Sequence, residues 1–177
     1  KTAYEIPKRD WSSDVCSSDL AKALSEAPKP SVPLPTPEQA QVLAELAKPE
    51  AAGRTHLLFG TTGSGKTEVY LRRMASVLTQ AAEAQALIMV PEINLTPQLE
   101  RQVRDRFEPL LGAGCVVSLH SAMTPAQRLQ AWLAAHLGRA RIVLGTRLSV
   151  FASMPGLRLI VVDEEHDPSY KQQEGAR

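Results

Sequence analysis

The chain has 177 residues, 44% of them hydrophobic and 22% charged, with a net charge of +1 at pH 7. That suits one globular domain with a sizeable core, and its short apolar runs, such as "LIVV", exclude a bilayer-spanning segment. A near-zero net charge neither demands nor excludes a nucleic-acid partner, because a basic groove can hide in a neutral total.

The chain opens on Lys1, with no initiator Met and no signal-peptide pattern, so a soluble, intracellular protein lacking its first residues is expected. The stretch "DWSSDVCSSDL", Asp10–Leu20, matches the translation of a common short-read sequencing adapter codon by codon through Asp19. We read it as an artefact of sequencing, although its Ser/Asp composition also suits a flexible loop. Cys16 and Trp11 then carry no meaning. Five prolines between Ala21 and Pro37 make an extended linker. Residues 1–35 are thus tail and linker, and 36–177 form the domain.

The first helix is announced by "TPEQ", with Thr36 as N-cap, Pro37 at the first helical position and Gln39 at the capping-box position. The same punctuation returns at "TPQL" from Thr96 and "TPAQ" from Thr124. Between these helices, "HLLF" (His56–Phe59), "ALIMV" (Ala86–Val90), "CVVSL" (Cys115–Leu119), "RIVL" (Arg141–Leu144) and "LRLIVV" (Leu157–Val162) read as strands. Most lack alternation, which predicts strands covered on both faces. Strands alternating with helices give an α/β fold with a parallel sheet and helices on both faces. Cys115 sits in an apolar run and reads as an inert core residue. Neither it nor Cys16 falls in a metal or disulfide spacing.

Two motifs carry chemistry. After "HLLF" comes "GTTGSGKT", then an amphipathic stretch to about Gln80: strand, loop, helix, the context of a phosphate-binding loop. Gly60, Gly63 and Gly65 let backbone N–H groups turn inward around phosphate oxygens, with Thr61, Thr62 and Ser64 between them. Lys66 would reach the β- and γ-phosphates, and Thr67 would ligate Mg²⁺. The competing reading is an ordinary Gly-rich turn. About a hundred residues later the run "LIVVDEEH" ends a strand in acids, at the edge where parallel sheets bind ligands. Asp163 would hold Mg²⁺, and Glu164 is the candidate general base for an attacking water. Two acids point to hydrolysis rather than binding alone. Together the motifs describe a RecA-like ATP-binding lobe with catalytic residues Lys66, Asp163 and Glu164.

The D-E-x-H pattern resembles superfamily 2 helicases. The ordered words "GTTGSGKTEVY", "VPEINLTPQ", "SLHSAMTPAQRLQAW", "IVLGTRLSVF" and "VVDEEHDPSYKQQEG" resemble a narrower family, the primosomal replication-restart helicases or PriA family, from Pro35 to Arg177. The resemblance implies a bacterial, cytoplasmic, fork-associated ATP-dependent 3′→5′ DNA helicase that restarts stalled forks and loads the primosome. It implies ATP and Mg²⁺ as cofactors. The implied partners are single-stranded and forked DNA, primosome and helicase-loading proteins, and single-stranded DNA-binding protein.

By the same resemblance Gln39 reads the adenine edge, unless it only caps its helix. Pro91-Glu92 and the helix start at Thr96–Gln98 touch the DNA backbone, as helix N-termini do with anions. Thr146 and Arg147 contact DNA, the guanidinium forking two oxygens. Tyr170 and Lys171, with Gln172, form a loop that senses single-stranded DNA, and His166 couples it to the acids. His120 and Trp132 fit the pattern but read as packing residues. Family members commonly carry "GTRSALF" where this chain has "GTRLSVF". The second RecA-like lobe with its arginine finger, and the zinc-binding cysteines, are not in this sequence, which is expected to be a fragment. Two other readings stay open: a nucleotide-binding module inactive in isolation, and another superfamily 2 translocase.

Overall fold

Each Thr-Pro pair starts a helix. The computed structural model describes residues 34–61 and 63–171; the adapter-like stretch, nearly all of the proline linker, Thr62 and Gln172 lie outside the described residues. Helix α1 spans Pro37–Leu46, α2 Lys66–Gln80, α3 Pro97–Leu111 and α4 Pro125–His136. Thr36, Thr96 and Thr124 each accept a backbone N–H from the first turn of α1, α3 and α4, and Gln39 and Gln127 return the bond in full capping boxes. Helix α2 starts differently, from Gly65 at φ 83°, a left-handed conformation that glycine adopts without a Cβ penalty.

Four of the five expected strands form: β1 (Gln85–Met89), β2 (Val116–Leu119), β3 (Ile142–Gly145) and β4 (Leu157–Val162). All pair in parallel, in the order β2-β3-β1-β4. Pleat geometry divides their side chains between two cores. Ala86, Ile88, Ile142 and Leu144 face Leu71, Met74 and Leu78 of α2 and Val103 and Phe107 of α3. Leu87, Met89 and Val143 face Ala131 and Ala135 of α4. This is the α/β sheet with helices on both faces. Among the described residues, no helix is long and apolar enough to cross a membrane.

Two expectations are corrected. "HLLF" is not a strand: Leu57 is 75% and Phe59 93% exposed, and residues 53–61 carry no strand. An apolar run becomes a strand only by pairing its N–H and C=O groups, and this one meets no partner. The expected cover on both faces holds for β1, buried throughout, but not for β4. Of β4, Leu157 packs on the α4-side core, while Ile160 and Val162 remain half exposed.

The amino ends of the strands are clamped. Buried Gln85 donates from Nε2 to the carbonyls of Ala135 and Ala140, both at 2.7 Å, and its Oε1 accepts from the Gly156 N–H at 2.9 Å. A Cβ on Gly156 would overlap the Glu83 carbonyl, so this close approach needs glycine. Arg141 donates to the carbonyls of Leu78, Ala81 and Ala84, capping the C-terminus of α2 with a cation.

Candidate active site

The strand register fixes which residues meet at the other edge. Leu119 pairs with Gly145, Gly145 with Met89, and Met89 with Val162, one row across the sheet. His120, Thr146, Val90 and Asp163 follow that row, so the candidate motifs hang from one carboxyl edge. Strands stand ~4.8 Å apart. The chain after β3, which carries Arg147, therefore leaves the sheet about 10 Å from Asp163, with β1 between them.

Gly60, Thr61, Gly63, Ser64 and Gly65 form the turn leading into α2, with Ser64 N–H on the Thr61 carbonyl at 3.2 Å. Gly63 and Gly65 hold φ of 80° and 83°. The Lys66 ammonium folds back on the loop, donating to the carbonyls of Gly60 at 2.7 Å and Thr61 at 3.0 Å. It thus lies over the turn that would receive phosphates. Gln39 is brought to the same place. Its Nε2 donates to the Gly65 carbonyl at 3.3 Å while its Oε1 accepts from the Thr36 N–H at 3.0 Å. The cap and the approach to the loop are both present.

Asp163 is held on three sides. Its N–H donates to the Met89 carbonyl at 2.9 Å. Its Oδ1 accepts from the Glu164 N–H at 3.1 Å, and its Oδ2 from the Tyr70 hydroxyl at 3.2 Å. Tyr70 lies on α2. Burial and the Asp163 carboxylate push the Tyr70 hydroxyl well above its ordinary range, so it keeps its proton at neutral pH. Tyr70 therefore joins the phosphate-loop helix to the acidic strand end, a link that the sequence reading missed. The signal was there: an aromatic with a polar tip three residues after Thr67, on the same helix face.

Glu164 has φ 49°, the left-handed region, where a non-glycine residue is strained. It is also the sole non-glycine residue with positive φ among the described residues. His166 stands 3.5 Å from the Glu164 carboxylate and is mostly exposed. Tyr170 turns inward: its hydroxyl donates to the Asp163 carbonyl at 2.8 Å, and its ring packs partly against the α4-side core. Burial, with the negative charge of Asp163 foremost among its neighbours, raises its hydroxyl too. Lys171 is exposed beside it.

Arg147 is exposed at the start of a 3₁₀ turn, Arg147–Phe151. Thr146 corrects the expectation of a DNA contact: it is 1% exposed, its carbonyl caps Ser149, and its hydroxyl is buried without a partner. Only Arg147 of the pair reaches the surface. His120 and Trp132, read as packing residues, lie away from the loop and the acids. They line an open, largely apolar cavity of about 270 Å³ with Arg128, Leu148 and Phe151, and Trp132 stacks on His136.

Thr67 and Asp163 offer hard oxygen donors, and Tyr70 of the phosphate-loop helix holds the Asp163 carboxylate. The described residues contain no cluster of three or more His, Cys, Asp or Glu that could hold a metal. That donor set fits Mg²⁺, which takes one or two protein oxygens and fills its shell with phosphates and water. Zinc ligands are not among them.

A family model described as DEAD/DEAH box helicase matches residues 36–176. The chain is 36% identical over 84% of its length to the replication restart protein PriA of Bacillus subtilis, covering 18% of that protein. It is 45% identical over 68% of its length to PriA of Haemophilus influenzae, covering 16% of it. With PriA of Helicobacter pylori strain J99 it shares 41% identity over 77% of its length, covering 20% of that protein. The chain thus spans a fifth or less of these relatives.

Proposed function

The chain belongs to the DEAD/DEAH box helicase family, and we propose that it is the ATP-binding lobe of a 3′→5′ DNA helicase that restarts stalled replication forks. The observation that carries this reading is the joined edge: Lys66 over the phosphate loop, Asp163 tied to that loop's helix through Tyr70, and Glu164 beside it. Similarity to replication restart proteins supplies the biological setting. In that setting the lobe works on single-stranded and forked DNA, with primosome and helicase-loading proteins and single-stranded DNA-binding protein, in the bacterial cytoplasm at the fork.

Each residue has a stated task. The loop N–H groups and Lys66 take the β- and γ-phosphates, and Gln39 the adenine edge. Thr67 and Asp163 would hold Mg²⁺, which when bound would neutralise phosphate charge. The Glu164 carboxylate accepts the proton of the attacking water. Arg147 and Lys171 grip strand phosphates. Tyr170, hydrogen-bonded to the Asp163 carbonyl, gives the DNA-facing loop a direct mechanical link to the catalytic acids, and His166 gives a second through Glu164. Closure of a second lobe over the γ-phosphate would then move the strand-gripping loops.

A second reading, nucleotide binding without turnover by this lobe alone, is favoured by residues 56–59, which join no strand. DNA-stimulated phosphate release by the full-length protein, and by the isolated chain, separates the two. In the full-length protein Lys66→Ala should lower hydrolysis at least ~100-fold and leave DNA binding largely intact. Unchanged phosphate release would refute the site.

A further inference from the structure

We propose that the cavity between α4 and the Arg147–Phe151 turn is a pocket for one unpaired base of single-stranded DNA. The inference rests on the DNA-binding part of the reading above and deepens it. Leu119, His120, Trp132, Leu148 and Phe151 line the cavity together with Arg128. Phe151 is 80% exposed and Trp132 36%. Two aromatic rings and aliphatic walls left open to water form a surface that gains by being covered. At about 270 Å³ the space falls just short of the ~300 Å³ at which pockets for drug-sized ligands begin, which suits a single planar ring system.

The walls are fixed before a ligand arrives. Trp132 stacks on His136 with ring centroids 5.2 Å apart, and His136 Nδ1 shares a hydrogen bond with Ser153 Oγ at 2.9 Å. The turn opposite is anchored by the buried Ser149, whose hydroxyl donates to the Thr146 carbonyl at 2.6 Å. A Cβ on Gly145 would overlap Ser149 and the Leu119 carbonyl, so the turn sits tight on the end of β2. Rings already held in place lose little freedom on binding.

Charge selects the occupant. Between Glu108 and Asp163 the chain holds five arginines and no acid, although its whole net charge is +1. Among the described residues, the arginines paired with carboxylates are Arg72, Arg104 and Arg106, all outside this stretch. Arg128 lines the cavity, and the exposed Arg147 directly precedes Leu148. A single strand brings what this face lacks, a phosphate with every base, and each base has a π face to lay on an aromatic ring. Neighbouring Cα atoms stand ~3.8 Å apart, so one nucleotide can meet Arg147 with its phosphate and the pocket with its base. A protein surface laid here would have to supply carboxylates for the same arginines.

The test uses the full-length protein and two labelled strands of equal length, oligo(dT) and the same backbone with an abasic site at every position. Phe151→Ala should weaken oligo(dT) binding by about tenfold and leave binding of the abasic strand unchanged. Equal oligo(dT) affinity in variant and wild type overturns the proposal; a fall in the denaturation midpoint alongside it assigns the cavity to a protein surface instead. An equal loss on both strands also overturns it, because the change has then harmed the fold or the phosphate contacts. Absence of oligo(dT) binding by the wild type overturns the DNA-binding reading, and the proposal with it. If Phe151→Ala does not fold, the wild-type protein is irradiated with a strand carrying 5-iodouracil. Crosslinks should map to Phe151 or Trp132, and crosslinks confined to other residues overturn the proposal.

Discussion

The two ends of the sheet are built to opposite rules. At the amino ends, every polar atom of the buried Gln85 amide that we describe has a partner, and Arg141 closes three carbonyls. At the carboxyl ends, Glu164 is strained, the Thr146 hydroxyl is buried without a partner, and Lys66 is satisfied by loop carbonyls that also surround the phosphate position. One end spends its polar groups on holding the fold. The other carries strain and one unpaired hydroxyl, and the residues proposed for chemistry all lie there. Satisfied hydrogen bonds make an edge stable; strained residues cluster where ligands bind.

That contrast can be broken from either side. The largest effects belong to the carboxyl edge. Beside Lys66→Ala, Glu164→Gly should lower ATP hydrolysis by about 10²–10⁴-fold, through loss of a general base. The same change should raise stability by up to ~1 kcal/mol, since glycine relieves the left-handed strain. A urea midpoint that falls instead would deny the strain. At the amino edge the signs reverse. Gln85→Leu removes three buried hydrogen bonds and should cost roughly 3 kcal/mol, with hydrolysis per folded molecule unaltered. A stability loss with intact specific activity is the signature sought, and the denaturation midpoint together with phosphate release reads it.

The smallest effect is electrostatic. Glu68, in the first turn of α2, is paired with Arg106 at 2.6 Å and 3.1 Å and with Arg72. Burial alone would raise its carboxyl, but the Arg106 hydrogen bond and the two guanidinium charges outweigh it, and the net shift is downward from 4.5. A lowered carboxyl stabilises the fold above its unfolded value and loses that contribution as pH falls below it. Glu68→Gln should therefore cost under ~1 kcal/mol at pH 7. The gap to wild type should begin to close as pH falls below the unfolded value of 4.5 and vanish once pH passes the lowered folded value. A gap that persists at low pH would mean packing, not charge, explains it.

Much of this was legible in the sequence, for local reasons. A Thr-Pro pair with Gln or Leu two residues after the proline starts a helix because the hydroxyl caps an N–H and the proline needs none, and three of three did so. Unbroken apolar runs gave β1 and β3. The phosphate loop and the acidic strand end are short-range patterns, visible wherever they occur. Thr146 escaped that reading because its burial depends on the close approach of Gly145 to Leu119 and Ser149. Tyr170 escaped it because its hydroxyl turns back to the acid instead of out to solvent.

The sequence by itself thus determined the helix starts, the strand-forming runs, the loop that turns on glycine and the acids at a strand end. Each depends on neighbours within a few residues. Only the tertiary structure decided that "HLLF" stays unpaired, that β4 keeps one face half exposed, and that Tyr70 meets a carboxylate 93 residues beyond it. Those outcomes need a partner from elsewhere in the chain. Pairing and burial are properties of the assembled sheet, and no local pattern contains them.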